Sequence, residues 1–585
     1  MLYLDCETFP FGPGLQAPPL VSVCLAVGDR HPELLLASDA ATAPRVAAAL
    51  HAAHTVVGHN VAYDLACIVE YWPHLWPEVT RLYAERRVAD TQLAARLRDI
   101  ASTGRLRRSY SLGALAQDLL GAELDKGEDG WRLRYGELAG TPVQHWPDRA
   151  KAYALDDVQA TREVWLELTA KGEPATLREQ AQAGWALHLT SARGIRADAY
   201  RVAALDAALS QEMAASGAQA QAAGLMRADG TVDRAAACKA AGTPTLTRED
   251  MEASGVPELQ ALARFKAAQK TESTYLPWLR EACVQPVHPR YQVLVESGRT
   301  SSFSPNVQQL PRSGGVREAL CPRDGYCLIV ADYAVAELVC LAQVLLHQYG
   351  TSEMAAALRR GDDLHLTTAS RVAGLTYAET VARYRAGDPK VKKYRQLAKG
   401  VNFGAPGGLG KATLAGMLGV GLPEAGDLLA AWVDTYPELK LHFRDLGASA
   451  RGGSYTLRHP LTGYVRAGLD YCSAANHYFQ HLCSMGAKAA LFEVVQACNM
   501  GTRGMAGAHP WAFIHDEIVL ECPIDARRGV ADALTLIMQE QFARYCPDVP
   551  VKAEAVATMR WCKDAERVVE ADGGLGVWGG GEYHA

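Results

Sequence analysis

The chain has 585 residues, 49% of them hydrophobic and 21% charged, with a formal net charge of −6. That balance excludes wholesale disorder, and no run of about 18 apolar residues is present to form a membrane-spanning helix. The acid at Asp5 interrupts the apolar stretch a signal peptide needs, and none of the 14 cysteines forms a CxxC pair. The expectation is a reduced, cytoplasmic chain with cysteines used as small core residues.

To about residue 170 the text alternates: Leu2–Leu4, Val21–Val27 and Thr55–Gly58 read as strands, Leu112–Gly121 and Arg149–Ala170 as helices. From Glu173 to Ala282 the chain is Ala-rich and helical, with a break at Gly242-Thr-Pro. From Val284 strands and helices mix. Cys327–Ala331 is a continuous apolar run, as in a buried strand. Phe513-Ile514 and Ile518–Leu520 flank His515-Asp516-Glu517 in a hairpin pattern. The Gly-rich tail after Ala571, through Gly579 to Gly581, is expected to be poorly ordered. No internal repeat is visible.

Asp5 and Glu7 are two apart on a strand, so both side chains leave one face while Cys6 points the other way. Asp64 opens a helical pattern after Gly58-His59-Asn60, and Tyr153 and Asp157 are one helical turn apart. Each alone also reads as a solvated turn or a helix cap. Together they supply four acids, and converging carboxylates repel unless cations neutralise them. Two Mg²⁺ ions roughly 3.5–4 Å apart would do so, activating a water and stabilising a leaving oxygen.

Asp332 follows the 327–331 run and Asp516 lies in the 513–520 hairpin, 184 residues further on. Locally these are a helix cap and a turn residue. Between them, residues 383–411 carry eight cations against Asp388 alone. Arg395, Lys399 and Phe403 recur every four residues, a stripe suited to a triphosphate and a flat base or sugar. Gly404 to Gly408, with Pro406, then stop the helix.

The three acidic segments of the first part resemble the three exonuclease motifs of the DnaQ-like 3′–5′ exonucleases. Arg395-x-x-x-Lys399-x-x-x-Phe403-Gly404 resembles the fingers-helix motif of family A DNA polymerases, those similar to bacterial DNA polymerase I. Asp332-Tyr333 with Glu337 and His515-Asp516-Glu517 are similar to that family's two palm motifs. Gly298–Ser302 with Pro305–Gln308, Asp363-Leu364-His365, Asn476 with Gln480, and the thumb-like Lys270–Tyr275 agree in order and spread. Asp90-Thr91 also resembles an exonuclease stretch, without assigned chemistry.

The resemblance implies a multidomain α/β and α+β fold: an RNase H-like exonuclease domain over 1–172, then a right-hand polymerase domain over 173–585. Thumb is expected at about 195–285, palm at about 286–350 and 440–585, and fingers at about 351–440. Asp5, Glu7, Asp64 and Asp157 would hold metal, with Tyr153 orienting the attacking water. Asp332 and Asp516 would hold two Mg²⁺ ions, Mn²⁺ being a substitute, with Glu517 and Lys399 completing the catalytic set. Arg395, Lys399, Phe403, His365, Glu337 and Tyr333 would bind the incoming nucleotide, Glu337 by crowding its 2′ position. Arg299, Asn306, Gln308, Asn476, Gln480 and His515 would contact DNA. The implied partners are primer–template DNA, deoxynucleoside triphosphates and unidentified replisome proteins, for a monomer without a membrane.

Three positions depart from the family. Gly407 stands where it carries a tyrosine, so the fingers helix is expected to end early and the template-base platform to be missing or supplied from elsewhere. Ala334-Val335-Ala336 replaces Ser-Gln-Ile, and Cys472 replaces an arginine. Because the chain starts at the exonuclease strand, a phage-type replicative enzyme without a 5′-nuclease domain is expected. The alternative is an exonuclease whose polymerase half has become a DNA-binding platform.

Overall fold

The computed structural model describes residues 1–12, 17–124 and 130–579. In the first part, the strand Leu2–Thr8 is the centre of a five-stranded sheet. Leu20–Val27 and then Glu33–Leu36 pair antiparallel on one side, and Val56–Gly58 and then Val88–Asp90 pair parallel on the other. Leu2, Tyr3 and Leu4 are buried, because the helices Val61–Tyr71 and Asp148–Thr169 pack on this strand. A strand covered on both faces is apolar at nearly every position, which leaves its polar pair Asp5 and Glu7 as the exception.

The helix Leu177–Arg193, inside the Ala-rich stretch, packs against the first sheet and also against the helix Tyr471–Met500 and the strand His509–Ile514. Its Trp185 stacks on Tyr83 at 5.0 Å, so one buried apolar cluster runs from Leu2 to Leu575. Beyond it, the helices Ala199–Ala222 and Pro257–Thr274 pair along their length. They share a small separate core of Ala220, Leu225, Met226, Met251, Leu259 and Leu262.

The second sheet has six strands in the order His509–Ile514, Glu517–Pro523, Tyr326–Ala334, Lys552–Thr558, Leu575–Trp578, Val568–Val569. The apolar run read as 327–331 extends through Asp332 to Ala334, so Asp332 is a strand residue. The Gly-rich tail is not disordered up to residue 579: Leu575–Trp578 pairs parallel with Lys552–Thr558, and Arg527 Nε donates to Leu575 O at 3.0 Å. Leu575 and Gly576 are buried, and burial outweighs the chain entropy of the neighbouring glycines. Gly580 and Gly581 lie outside the described residues. All 14 cysteines are free thiols, nine of them buried. Among the described residues, no single helix is long and apolar enough to cross a membrane.

The 30-residue helix Tyr471–Met500 crosses the second sheet over a cluster of imidazoles. Tyr464 stacks on His481 at 4.0 Å, and His459 and His477 lie within 6.4 Å of that ring, centroid to centroid. His459 Nε2 donates to Tyr478 O at 2.8 Å while its Nδ1 accepts from Leu461 N at 3.2 Å. Burial is the first cause that holds His442 and His459 down to about 4 and His477 to about 3.

Rings that stay neutral when folded but protonate near pH 6.5 when unfolded make the unfolded state bind more protons in between, so stability falls as pH falls. At pH 5.5 each costs about 1 kcal/mol relative to pH 7.5. Thermal melts at the two pH values are expected to show a midpoint several degrees lower at pH 5.5.

Candidate active sites

At the first site, Asp5 and Glu7 leave one face of Leu2–Thr8, and Asp157 reaches them from the helix Asp148–Thr169. One ligand atom from each lies within 4.8 Å of the others. Tyr153, one turn before Asp157, is buried 6.1 Å from Tyr135, whose hydroxyl donates to Ala150 O at 2.7 Å. Asp64 stands outside this trio. Its Oδ1 accepts from Cys6 N at 3.0 Å, and burial first, then the Asp5 charge, push its carboxyl up. Asp90, given no chemistry from the sequence, positions this corner. It caps the next helix through Gln92 N at 2.8 Å and takes Val61 N at 3.0 Å beside Asn60, whose φ is +60°. The trio is a hard-oxygen donor set of the kind divalent cations take.

At the second site, register does the work. Tyr326–Ala334 pairs antiparallel with Glu517–Pro523, Ala331 opposite Ile518, so Asp332 lies beside the His515-Asp516 turn. His515 (φ +61°) and Val335 (φ +50°) are both left-handed, a conformation that favours glycine and is held here by the surrounding strands. Val335 turns the chain into the helix Ala336–Tyr349, which presents Glu337 to the same site. The Asp516 carboxyl is pushed up to about 7, by burial first and then by the Asp332 and Glu337 charges, with Arg299 opposing. Acids this close and this poorly neutralised suit a bound divalent cation.

Arg299 is ion-paired with Glu337. Its loop is anchored at Gly298 O, which accepts from Lys488 Nζ at 2.7 Å and Ser484 Oγ at 2.8 Å. Gly298 has φ +86°, and a Cβ there would lie 2.5 Å from His481 Nδ1. Burial brings Lys488 down to about 7. Glu517 accepts from Trp561 Nε1 at 3.0 Å, and Lys563 Nζ lies 3.7 Å from Glu517 and 3.6 Å from Asp332. Lys563 and Trp561 belong to no pattern in the sequence.

On the helix Pro389–Gly404, Arg395, Lys399 and Phe403 form one stripe, and Phe403 is 49% exposed. Arg395 donates from Nε at 3.0 Å and Nη2 at 2.8 Å to Asp363 Oδ2. Asp363 Oδ1 also caps the helix Leu364–Ala373 through His365 N at 2.8 Å. His365 is only 5% exposed, and burial holds it down to about 4, so it is a neutral ring. Asn402, which the sequence did not single out, fixes that ring. Its Nδ2 donates to His365 Nδ1 at 2.8 Å and to Leu364 O at 3.2 Å, while Thr368 Oγ1 donates to its Oδ1 at 3.2 Å. With Nδ1 accepting, the ring proton is on Nε2.

The fingers helix ends at Gly404, followed by one tight turn over Ala405–Gly407. A Cβ on Gly407 would lie 2.8 Å from Asn476 Nδ2, and one on Gly408 (φ +77°) 2.6 Å from Tyr471 Cε1. A side chain at 407 would therefore have to displace the Asn476 amide, and the 39%-exposed Tyr471 lies against the helix end.

Two of the expected contact residues have their side chains turned inward. The Tyr333 side chain faces the core, its hydroxyl donating to Met538 O at 2.9 Å and its ring 4.7 Å from Phe542, so its ring is turned away from the candidate site. Adjacent strand residues face opposite ways, and with Asp332 at the site Tyr333 points inward. Gln308 is 6% exposed and donates from Nε2 to Thr300 Oγ1 at 2.8 Å and Phe513 O at 3.1 Å. It staples the 300 loop to the sheet. Asn306 Oδ1 accepts from Ser302 Oγ at 3.0 Å, and Gln480 donates to Asn476 Oδ1 at 3.2 Å.

The family model described as DNA polymerase family A matches residues 239–563, more than half of the chain. The chain belongs to DNA polymerase family A. A model described as 3′-5′ exonuclease matches residues 2–173, so the fold of this family A chain is an exonuclease domain followed by a polymerase domain. Thermostable DNA polymerase I of Thermus filiformis is 28% identical over 320 residues, 52% of this chain and 36% of that protein. DNA polymerase I of Lactococcus lactis subsp. cremoris is 26% identical over 330 residues, 54% of this chain and 35% of that protein. The matches thus span about a third of the length of these curated relatives. A solved structure described as the POL domain of Pol1 from M. smegmatis, in complex with DNA primer-template and dNTP, shares the fold. It has a TM-score of 0.69 at 20% identity and covers 96% of both chains.

The Asn402–His365 bond has a direct consequence. In Asn402→Asp, a carboxylate at Nδ1 favours the imidazolium, so the His365 titration is expected to rise from about 4 toward the ordinary histidine range. Imidazole ¹⁵N NMR, with His365→Gln to assign the signal, checks this.

Proposed function

We propose that the chain is a DNA-templated DNA polymerase with a 3′–5′ proofreading exonuclease, acting as a cytoplasmic monomer on primer–template DNA and deoxynucleoside triphosphates. The observation that carries the reading is the register that sets Asp332 beside Asp516, next to a helix bearing Arg395, Lys399 and Phe403. In this reading the paired long helices belong to the thumb, the six-stranded sheet to the palm and the Pro389–Gly404 helix to the fingers.

Within this reading Lys399 and Arg395 draw the triphosphate, with Arg395 pinned by Asp363 so that little entropy is lost on binding. Phe403 offers its exposed face to sugar and base, and neutral His365 donates from Nε2. Glu337 crowds the 2′ position and, through its ion pair, also orients Arg299. The primer 3′-hydroxyl then attacks the α-phosphorus and pyrophosphate leaves, with positioning and charge stabilisation lowering the barrier. Two Mg²⁺ or Mn²⁺ ions held by Asp332 and Asp516, and two more by Asp5, Glu7 and Asp157 with Asp64 in support, would supply charge neutralisation and a more acidic hydroxyl or water. Gly407 packs closely on Asn476, and the departure there leaves every candidate ligand in place, which favours a working polymerase over a degenerate one.

Primer extension with four deoxynucleotides and Mg²⁺ tests the proposal. Asp332→Asn is expected to lose extension by at least about a thousandfold while degrading single strands normally, and Asp5→Ala to do the reverse. Loss of both activities in both variants would refute separate sites. Glu337→Ala is expected to admit ribonucleotides, seen as alkali-labile product.

A further inference from the structure

Four residues along its strand from Glu517, about 13 Å away, Glu521 lines a cavity of about 190 Å³. Three arginines stand around it. Arg193 is the last residue of the helix Leu177–Arg193, Arg196 lies on the short strand that follows, and Arg323 precedes the strand Tyr326–Ala334. Arg196 is paired with Cys321 in a two-residue antiparallel ladder, which brings the first two arginines up to the third. Buried Trp511 closes the apolar side.

These guanidinium groups are not equally neutralised. Arg323 is held by the buried Glu521, its Nε donating to Oε2 at 2.8 Å, and it also lies over the Tyr326 ring at 4.6 Å. Arg193 donates from Nη2 to His509 Nε2 at 3.0 Å and, among the described residues, to no carboxylate. The Arg196 side chain makes no hydrogen bond or ion pair among the described residues. Burial first, then the Arg193 and Arg323 charges, hold His509 down to about 4, so its ring adds no charge. The lining thus sets three cations against one carboxylate, a net of 3 − 1 = +2.

Like charges gathered around a small cavity repel one another unless an anion sits between them. Guanidinium forks match phosphate oxygens two at a time. A phosphate group carries about −1.5 to −2 near pH 7, the charge this lining leaves uncompensated. The cavity is smaller than the range of about 300–1,000 Å³ that holds drug-sized ligands, so its occupant is smaller than a nucleotide. We propose that this cavity binds a small free phosphate anion, with Arg193 and Arg196 on one side of it and Arg323 on the other. The bound anion ties the end of the helix Leu177–Arg193 to the second sheet. The site shares no residue with either candidate active site and does not depend on the function proposed above.

The test uses the full chain in EDTA, with inorganic phosphate as the probe and ionic strength held constant with sodium chloride. Phenylglyoxal labels accessible guanidinium groups, and peptide mapping reads Arg193 and Arg196 against the exposed Arg30. At about 10 mM phosphate, labelling of Arg193 and Arg196 is expected to fall at least about threefold while Arg30 is unchanged. In Arg196→Gln, the phosphate concentration that protects Arg193 is expected to rise about tenfold, the loss of one charge-assisted hydrogen bond. The footprint on the parent chain needs no variant, so it decides the matter if Arg196→Gln does not keep the parent melting temperature. Equal labelling with and without phosphate would overturn the proposal. So would protection of Arg193 at the same concentration in Arg196→Gln, or protection by primer–template DNA and not by phosphate.

Discussion

The antiparallel pairing of Tyr326–Ala334 with Glu517–Pro523 is the constraint on which the polymerase half depends. It closes a chain loop of nearly two hundred residues, an entropic cost that grows only slowly with length. The buried apolar pairs Ile329–Leu520 and Val330–Val519 offset that cost. A slip of one residue would send Asp332 to the opposite face and bury it, so the same apolar alternation that stabilises the sheet also aims the acid. Fold and site are specified by one set of contacts.

The site stores what that pairing makes available. Asp516 lies in a two-residue turn whose first member, His515, takes a left-handed backbone without being glycine, and Val335 does the same across the sheet. His515 sits next to Asp516 and Val335 two residues before Glu337, acids that repel one another, as the raised Asp516 carboxyl records. Such conformations persist only when surrounding packing over-determines them, here two strands, the helix from Ala336 and the Trp561–Lys563 corner behind Glu517. Repulsion held in place by packing is a preorganised demand for positive charge.

Much of this was legible in the residues because it follows short-range periodicity. Alternation put Asp5 and Glu7 on one strand face, the apolar run at 327–331 marked a buried strand, and four-residue spacing aligned Arg395, Lys399 and Phe403. The glycines after Phe403 announced an early helix end, though only the contacts with Asn476 and Tyr471 explain it. What stayed hidden depends on contacts far apart in sequence or on weak local signals. Lys563, Trp561 and Asn402 act through single hydrogen bonds or ion pairs that leave no repeat. The tail strand Leu575–Trp578 is masked by glycines that a neighbouring strand makes tolerable. Tyr333 is the instructive case, since period-two alternation already required it to face away from Asp332.

The two catalytic regions also share a mechanical link. The helix Leu177–Arg193 packs on the first domain through Trp185, stacked on Tyr83, and on the second through its contacts with the helix Tyr471–Met500, whose Lys488 bonds both Gln180 of that junction helix and Gly298 beside Arg299. A buried lysine brought down to about 7 is costly to hide unless its bonds are made, so the Gln180–Lys488–Gly298 chain favours one relative placement of the two domains. A cleft lined by Phe11 of one domain and by Trp278 and Arg290 of the other keeps its shape only under such a fixed placement.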